Sequence, residues 1–417
     1  MTKLAFYWRQ LLHRMWFLPA AFSAIAMLTI GIALFVARWA PEELPFTISR
    51  DAIQSILEIL ATSLLTVSVF ALSTLVAALS SASAATSPRA MPLIIGDRAA
   101  QTSISVFIGA FLFSILAILG LSAGIYSSAG RMLLFSVTLA VVAVVIAALI
   151  RWIAQISDIG RVGHTVDRVE AATAQAFETL RKHPQFDCRT QHTPPQGTPV
   201  HADKLGYVQH FDAARLQALA EEHDLRIAIT ARPGTYVSAL RPLMLVETNS
   251  ERTLDDDTAD ELVDTFVIGD QRSFDSDPRF GLVVLAEIAD RALSPAVNDP
   301  GTAIDVIGTL TRILADWQPG ASADAASDES VANDRLTIPA LLPQDLCEDA
   351  FRPIARDGAG SIEVLLRLIK SLEILAASNP HLRPAALATA SDAVEPARKA
   401  LTAAEDLRAL EEAARFV

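Results

Sequence analysis

Cysteine is nearly absent from this chain: Cys188 and Cys347 are the only two in 417 residues. Neither falls in a CxxC or a zinc-ligand spacing, so the sequence implies no disulfide framework and no metal site, which suits a reducing compartment. Catalytic signatures are missing too. There is no phosphate-binding GxxxxGK[ST], no HExxH, and no GxGxxG opening a helix. No cofactor is implied, and an enzyme is the weakest of the functional classes. Basic residues are outnumbered, 34 Lys and Arg against 47 Asp and Glu. The imbalance is uneven: residues 1–151 carry a net +4 and the remainder −17. An acidic soluble part argues against nucleic-acid binding, which needs a basic footprint.

What the chain has in abundance is long apolar runs. Four spans stand out, at Trp16–Ala37, Ala52–Leu79, Ile104–Ile125 and Met132–Ile150. Each is long enough to cross about 30 Å of hydrocarbon at about 1.5 Å per residue. Three more spans follow the first, and no A-x-A cleavage site closes it, so it reads as a retained anchor. Lys3, Arg9, Arg14, Arg89, Arg98, Arg151, Arg161 and Arg168 lie on the side of the N-terminus, whereas only Arg38, Arg50 and Arg131 lie opposite. That bias places both termini in the cytoplasm. Trp8, Trp16, Trp39 and Trp152 fall near the expected interfaces, as an aromatic belt does. The short Arg38–Arg50 loop projects almost nothing outside.

The second span is unusual. Ser55, Glu58, Thr62, Thr66, Ser73 and Ser80 step by 3, 4, 4, 7 and 7 residues, which puts all six on one helical face. Small hydroxyl residues of this kind serve helix packing in a bilayer. The sharper alternative is that they line an aqueous path, with Glu58 as a cation-attracting ring in an oligomer. Both readings stand. Gly109, Gly120 and Gly124 in the third span suggest close backbone contact.

From Trp152 an apolar pattern in steps of 3 or 4 runs on to Leu180, predicting a helix continuous with the fourth span that is either a stalk between subunits or packed on its own domain. His183, His192, His201 and His210 recur at nine-residue intervals, which matches no metal-ligand spacing. Strands are expected at Gly206–Phe211, at Leu225–Thr230 and from Val237 to Val246, with a helix at Ala213–His223 capped by Asp212. The acidic run Asp255 to Asp264 reads as the start of a helix that ends near Ile268, where negative charge suits the helix dipole. A helical hairpin follows. Asp277–Pro278 opens one helix and Asp299–Pro300 the next, joined by Ser294–Asn298. Glu287 and Arg291 are four apart and can pair. Gly320–Asn333 is low in complexity and reads as a disordered insertion. Leu346–Ala377 and Pro384–Phe416 read as closing helices.

The fold class that follows is membrane α-helical: four transmembrane helices, then a mixed α/β, mostly helical cytoplasmic domain. Its expected parts are a four-helix transmembrane domain at 1–151, a helical extension of the fourth span at 152–183, a loop at 184–204 rich in proline and histidine, a small α/β module at 205–270, and a helical domain at 271–417 with the insertion at 320–333.

The run from Glu287 to Ala303, EIADRALSPAVNDPGTA, resembles the signature of the DUF2254 predicted membrane proteins of bacteria. Gly206–Tyr207–Val208–Gln209, the Arg232–Pro233–Gly234 turn, Asp277–Pro278–Arg279–Phe280–Gly281 and Ser87–Pro88–Arg89 follow the same order. Gly301 departs from that pattern, which has a bulky residue there. The resemblance implies architecture and inner-membrane location, and no reaction. The Glu287, Arg291, Ser294, Asn298, Asp299 loop offers polar groups and a helix N-terminus to a small cytoplasmic ligand, against the simpler reading of a capping turn. The functional readings are an oligomeric ion channel or transport pore with a cytoplasmic regulatory domain, or a membrane-anchored sensor or scaffold. The partners expected are the lipid bilayer, further copies of the chain and a small cytoplasmic ligand.

Overall fold

The structure, a computed structural model, describes residues 49–95, 98–159, 161–248, 254–319 and 331–417, with isolated positions between 20 and 35. Most of the first expected span and nearly all of the Arg38–Arg50 loop lie outside the described residues, as does most of the 320–333 insertion. The chain divides into two units. One holds the apolar helices up to Ala84 and from Met91 to His164; the other holds Ala85–Ala90 and Thr165–Val417.

Among the described residues, three helices are long and apolar enough to cross a membrane: Arg50–Ser83, Gln101–Ser122 and Gly130–Gln155. They belong to α1 (Arg50–Ala85), α3 (Arg98–Ser122) and α4 (Ser128–Ile159), with the short α2 (Met91–Ile95) between the first two. Local chemistry sets their ends. The Ser49 hydroxyl accepts from Ala52 N at the start of α1, and the Ser127 hydroxyl accepts from Gly130 N at the start of α4. Arg50 donates to the Ser122 carbonyl at 3.1 Å, satisfying one of the carbonyls that α3 leaves open at its C-terminus. Gly124, at φ +70°, makes the turn into α4. On Gly120 a Cβ would lie 2.7 Å from the Tyr126 ring, so the glycine gives the ring its place.

Helix α3 is the most buried of the three. Leu64, Ala71, Leu75 and Ala82 of α1 pack with Ile104, Phe107 and Ala110 of α3 and with Trp152 of α4. Nearer the Gly124 turn, Ile53 and Leu57 pack with Phe113, Ala117, Leu121 and Leu134. Alanines on the buried face of α1 let the helix backbones approach.

The helix expected to run on from the fourth span is interrupted. Helix α4 ends at Ile159 and α5 (Val162–Lys182) starts afresh. The α5 residues Val166, Val169, Thr173 and Ala176 are buried within the second unit. Thr173 lies so close to Gly281 that a Cβ there would sit 1.9 Å from its hydroxyl. This apolar face therefore serves packing inside its own unit.

The second unit contains two sheets. The larger has the order β1-β8-β4-β6-β2, formed by Cys188–Thr190 (β1), Thr198–Val200 (β2), Leu225–Ile229 (β4), Met244–Thr248 (β6) and Asn333–Ile338 (β8). Strand β8 runs parallel to β1 and β4, and β6 antiparallel to β4 and β2. Leu225, Ile227 and Ile229 point inward on β4 and meet Met244 and Val246 of β6 and Leu336 and Ile338 of β8 in one core. The smaller sheet, β5-β3-β7, comprises Gly206–Phe211 (β3), Tyr236–Val237 (β5) and Phe266–Gly269 (β7). Helices α6 (Ala213–Glu222) and α7 (Asp256–Val263) are capped by Asp212 and Asp255.

Several expectations are corrected here. The stretch from Val237 to Val246 is two strands in different sheets, because the turn around Arg241 separates them. The acidic helix stops at Val263, and the buried residues Phe266, Val267 and Ile268 are strand β7. The loop 184–204 supplies β1 and β2, and the expected insertion ends early, since Asn333 is buried at the start of β8. The α/β module and the helical domain thus share one sheet. The remaining helices are α8 (Pro278–Leu293), α9 (Pro300–Ala315), α10 (Pro343–Asp357), α11 (Ile362–Ser378), α12 (Arg383–Ala400) and α13 (Ala404–Ala413). Helix α8 packs on α9 and α10, and α9 on α11.

Candidate functional site

The six polar residues of α1 share an exposed face. Ser55, Glu58, Thr62, Thr66, Ser73 and Ser80 are all exposed, whereas Ile53, Leu57, Ala61, Leu64, Ala71 and Leu75 on the other side are buried. No described residue of α3 covers the stripe. Its hydroxyls are not idle: Thr62 donates to the Glu58 carbonyl at 2.9 Å and Thr66 to the Thr62 carbonyl at 3.1 Å. Bonding back to the helix satisfies the proton and leaves oxygen lone pairs for water or a neighbour. Gln54 donates to the Glu58 carboxylate at 2.8 Å. Exposed apolar residues such as Ile59, Val69 and Phe70 flank the stripe.

The signature hairpin is built by local bonds. Asp277 accepts from Phe280 N and Asp299 from Thr302 N, so each opens a helix as its N-cap. Asp299 also accepts from the Thr302 hydroxyl at 2.6 Å, and these two bonds lower its pKa. Ser294 donates to the Arg291 carbonyl at 2.7 Å, and Asp299 N closes the loop on the Ala292 carbonyl at 2.8 Å. Asn298 takes φ +50°, a conformation that asparagine tolerates better than most residues. The side chains of Ser294 and Asp299 are thus engaged in forming the turn.

Glu287 does not pair with Arg291 among the described contacts. Its carboxylate accepts from the Ser87 hydroxyl at 2.7 Å and from the Arg89 guanidinium, both in the segment that follows α1. Ser87 is buried and also receives the Arg89 backbone N–H at 3.2 Å. One turn along α8 sits Asp290. Burial first, then the charge of Asp357, push its pKa up to about 7, against the pull of Arg356, while Glu287 adds to the rise. Arg356 stands 3.7 Å from one Asp290 oxygen, and the other oxygen is buried with no hydrogen-bond partner. The arrangement is a latch, Ser87–Arg89 onto Glu287, beside a carboxyl poised to titrate near neutral pH. Sequence reasoning missed the latch because its halves are about 200 residues apart. The one available signal was that both lie in the segments of the family resemblance.

Around the start of α8, Arg272 pairs with the buried Asp277 at 2.7 Å, and Arg279 bridges to Asp345 and Asp349. The Arg232–Pro233–Gly234 turn presses on the same carboxylate, for a Cβ on Gly234 would fall 2.2 Å from an Asp277 oxygen. Both thiols are buried, which pushes each pKa up to about 12 and leaves no thiolate nucleophile at neutral pH. His183 bonds to Asp187 and His210 to Ser276. Among the described residues no three His, Cys, Asp or Glu side chains converge as a metal site.

A family model described as a predicted membrane protein, DUF2254, matches residues 13–374. Proteins of Mycobacterium bovis and Mycobacterium tuberculosis, both named only as uncharacterised, are 30% identical to the chain over 182 residues. That match covers 42% of this chain and 35% of each relative, so it spans about a third of their length. No solved structure matches the chain.

Proposed function

The chain belongs to the DUF2254 family of predicted membrane proteins, and from that premise we propose that it is a homo-oligomeric ion channel or transport pore of the bacterial inner membrane. In this reading the stripe of α1 faces a wet path shared between copies. The mixed α/β unit lies in the cytoplasm with both termini and regulates the path. The observation that carries the proposal is the exposure of all six stripe residues on a helix whose opposite face is buried. A polar row with an ionisable residue is costly against lipid and functional against water. The latch supports regulation, because Ser87 and Arg89 directly follow α1 and are held by Glu287 of α8.

The test combines mass and flux. Purified protein in detergent should have a mass that is a multiple of 44.8 kDa, and liposomes carrying it should pass ions. Thr66→Val should lower conductance with little loss of folding, since its hydroxyl bonds only back to the Thr62 carbonyl of the same helix. Glu58→Gln should weaken a preference for cations. A single-chain mass, no current, or unaltered selectivity in Glu58→Gln would overturn the pore. The same latch favours one other reading, a membrane-anchored sensor or scaffold, and an absence of flux would leave that in place.

A further inference from the structure

The second unit carries a partly open cavity of about 660 Å³ lined by α5, α9 and the chain after β8. Small-molecule sites commonly occupy about 300–1,000 Å³. Phe177, Leu180, Ile313, Trp317 and Leu341 give the cavity apolar walls. Arg232, from the turn after β4, lines it as well.

The bonding of Arg232 is what makes the cavity informative. Its guanidinium donates to the Gln185 side-chain oxygen at 2.7 Å and to the Pro339 carbonyl, and lies 5.8 Å from the centre of the Phe186 ring. All three partners are neutral. Asp277 is near enough to act on it electrostatically but is bonded to Arg272 at 2.7 Å. The other two arginines of the wall are each matched: Arg312 by Glu170 at 2.9 Å and Arg181 by Glu178 at 2.7 Å. Among the described residues Arg232 is therefore the wall cation with no carboxylate bound to it. Burial outweighs the pull of Asp277 and, with the charge of Arg279, lowers its pKa to about 10, so it remains a cation at neutral pH. A sheltered cation that bonds no carboxylate directly is stabilised by an anion that reaches it. Asp316 also reaches the wall, exposed to solvent, and works against a multiply charged ligand.

We propose that this cavity binds a small monocarboxylate with an apolar body, its carboxylate on Arg232 and its body against Phe177, Leu180 and Trp317. A guanidinium suits this role because its planar fork matches a carboxylate in two parallel hydrogen bonds. The inference stands apart from the pore: a protein that passes no ions would still hold this site.

The experiment uses the full chain in detergent and calorimetric titration with benzoate, phenylacetate and octanoate. Benzamide, the neutral counterpart of benzoate, and inorganic phosphate are the controls. At least one carboxylate should saturate at one site per chain. Benzamide and phosphate should bind at least about tenfold more weakly, a difference of about 1.4 kcal/mol. Arg232→Gln should lose about tenfold or more, and Arg232→Lys should keep part of the affinity, because the charge survives without the fork. Arg232 also ties down Gln185 and Pro339, so a second variant leaves it intact: Ala174→Trp, at an exposed position of the wall, fills the mouth and should block binding in a folded protein. The proposal is overturned if none of the three carboxylates saturates, if benzamide matches benzoate, or if Ala174→Trp binds as the parent does.

Discussion

At the scale of single residues, Asp290 links the latch to pH. Its carboxyl titrates at about 7 in the folded chain against an ordinary 3.8. The folded state therefore holds the proton over a range in which the unfolded chain has released it. Stability from this group is fully present below the ordinary value and is lost progressively as pH rises from there through about 7. Asp290→Asn removes the ionisation and keeps the shape. Its gain in melting temperature over the parent should be small at pH 4, widen toward neutral pH and level off above it. A gain that is constant across that range would mean that the carboxyl titrates like an exposed one. Sequence could not show this, because the shift comes from burial and from Asp357, some 67 residues away along the chain.

At the scale of elements, what was legible in the sequence was whatever is settled within a few residues. Asp212, Asp255, Asp277 and Asp299 all precede helices and all accept from the backbone N–H three residues on. Asp299→Ala should lower the stability of the hairpin by about 1 kcal/mol, while Asp299→Ser, which can still cap, should cost much less. Equal stability of both variants in denaturant titrations would refute the capping account. Less legible were β1 and β2, whose three residues each carry too little alternation to stand out. Strand β8 was hidden by its partners, since Ile227 meets Leu336 across more than a hundred residues. The face of α5 shows the limit from the other side. Its periodicity announced a helix with something to bury, and only packing showed that Thr173 lies against Gly281.

At the scale of the whole molecule, the apolar spans and the arginine bias make a prediction of topology. With both termini inside, cysteines introduced in the Arg38–Arg50 loop should react with an impermeant maleimide in intact cells, and cysteines near Gly320 should not. The background should be low, because Cys188 and Cys347 are both buried. Labelling near Gly320 would reverse the orientation. The division into two units cuts across chain order: Ala85–Ala90 folds with Thr165–Val417, although apolar helices precede and follow it. The short link after α1 therefore belongs to the same unit as Glu287, which holds it.

The sequence by itself determined the three apolar helices from Arg50 to Gln155, the alignment of the six polar residues on one face of α1, and the capped hairpin of α8 and α9. Each of these depends on hydropathy or on spacing within a few turns, and short-range periodicity records both. The tertiary structure decided which face of α1 is exposed, where the Glu287 carboxylate goes, why the pKa of Asp290 is raised, and that Arg232 stands in a cavity wall with no carboxylate bonded to it. Those outcomes depend on burial and on charges brought together from distant parts of the chain, and no local pattern encodes either.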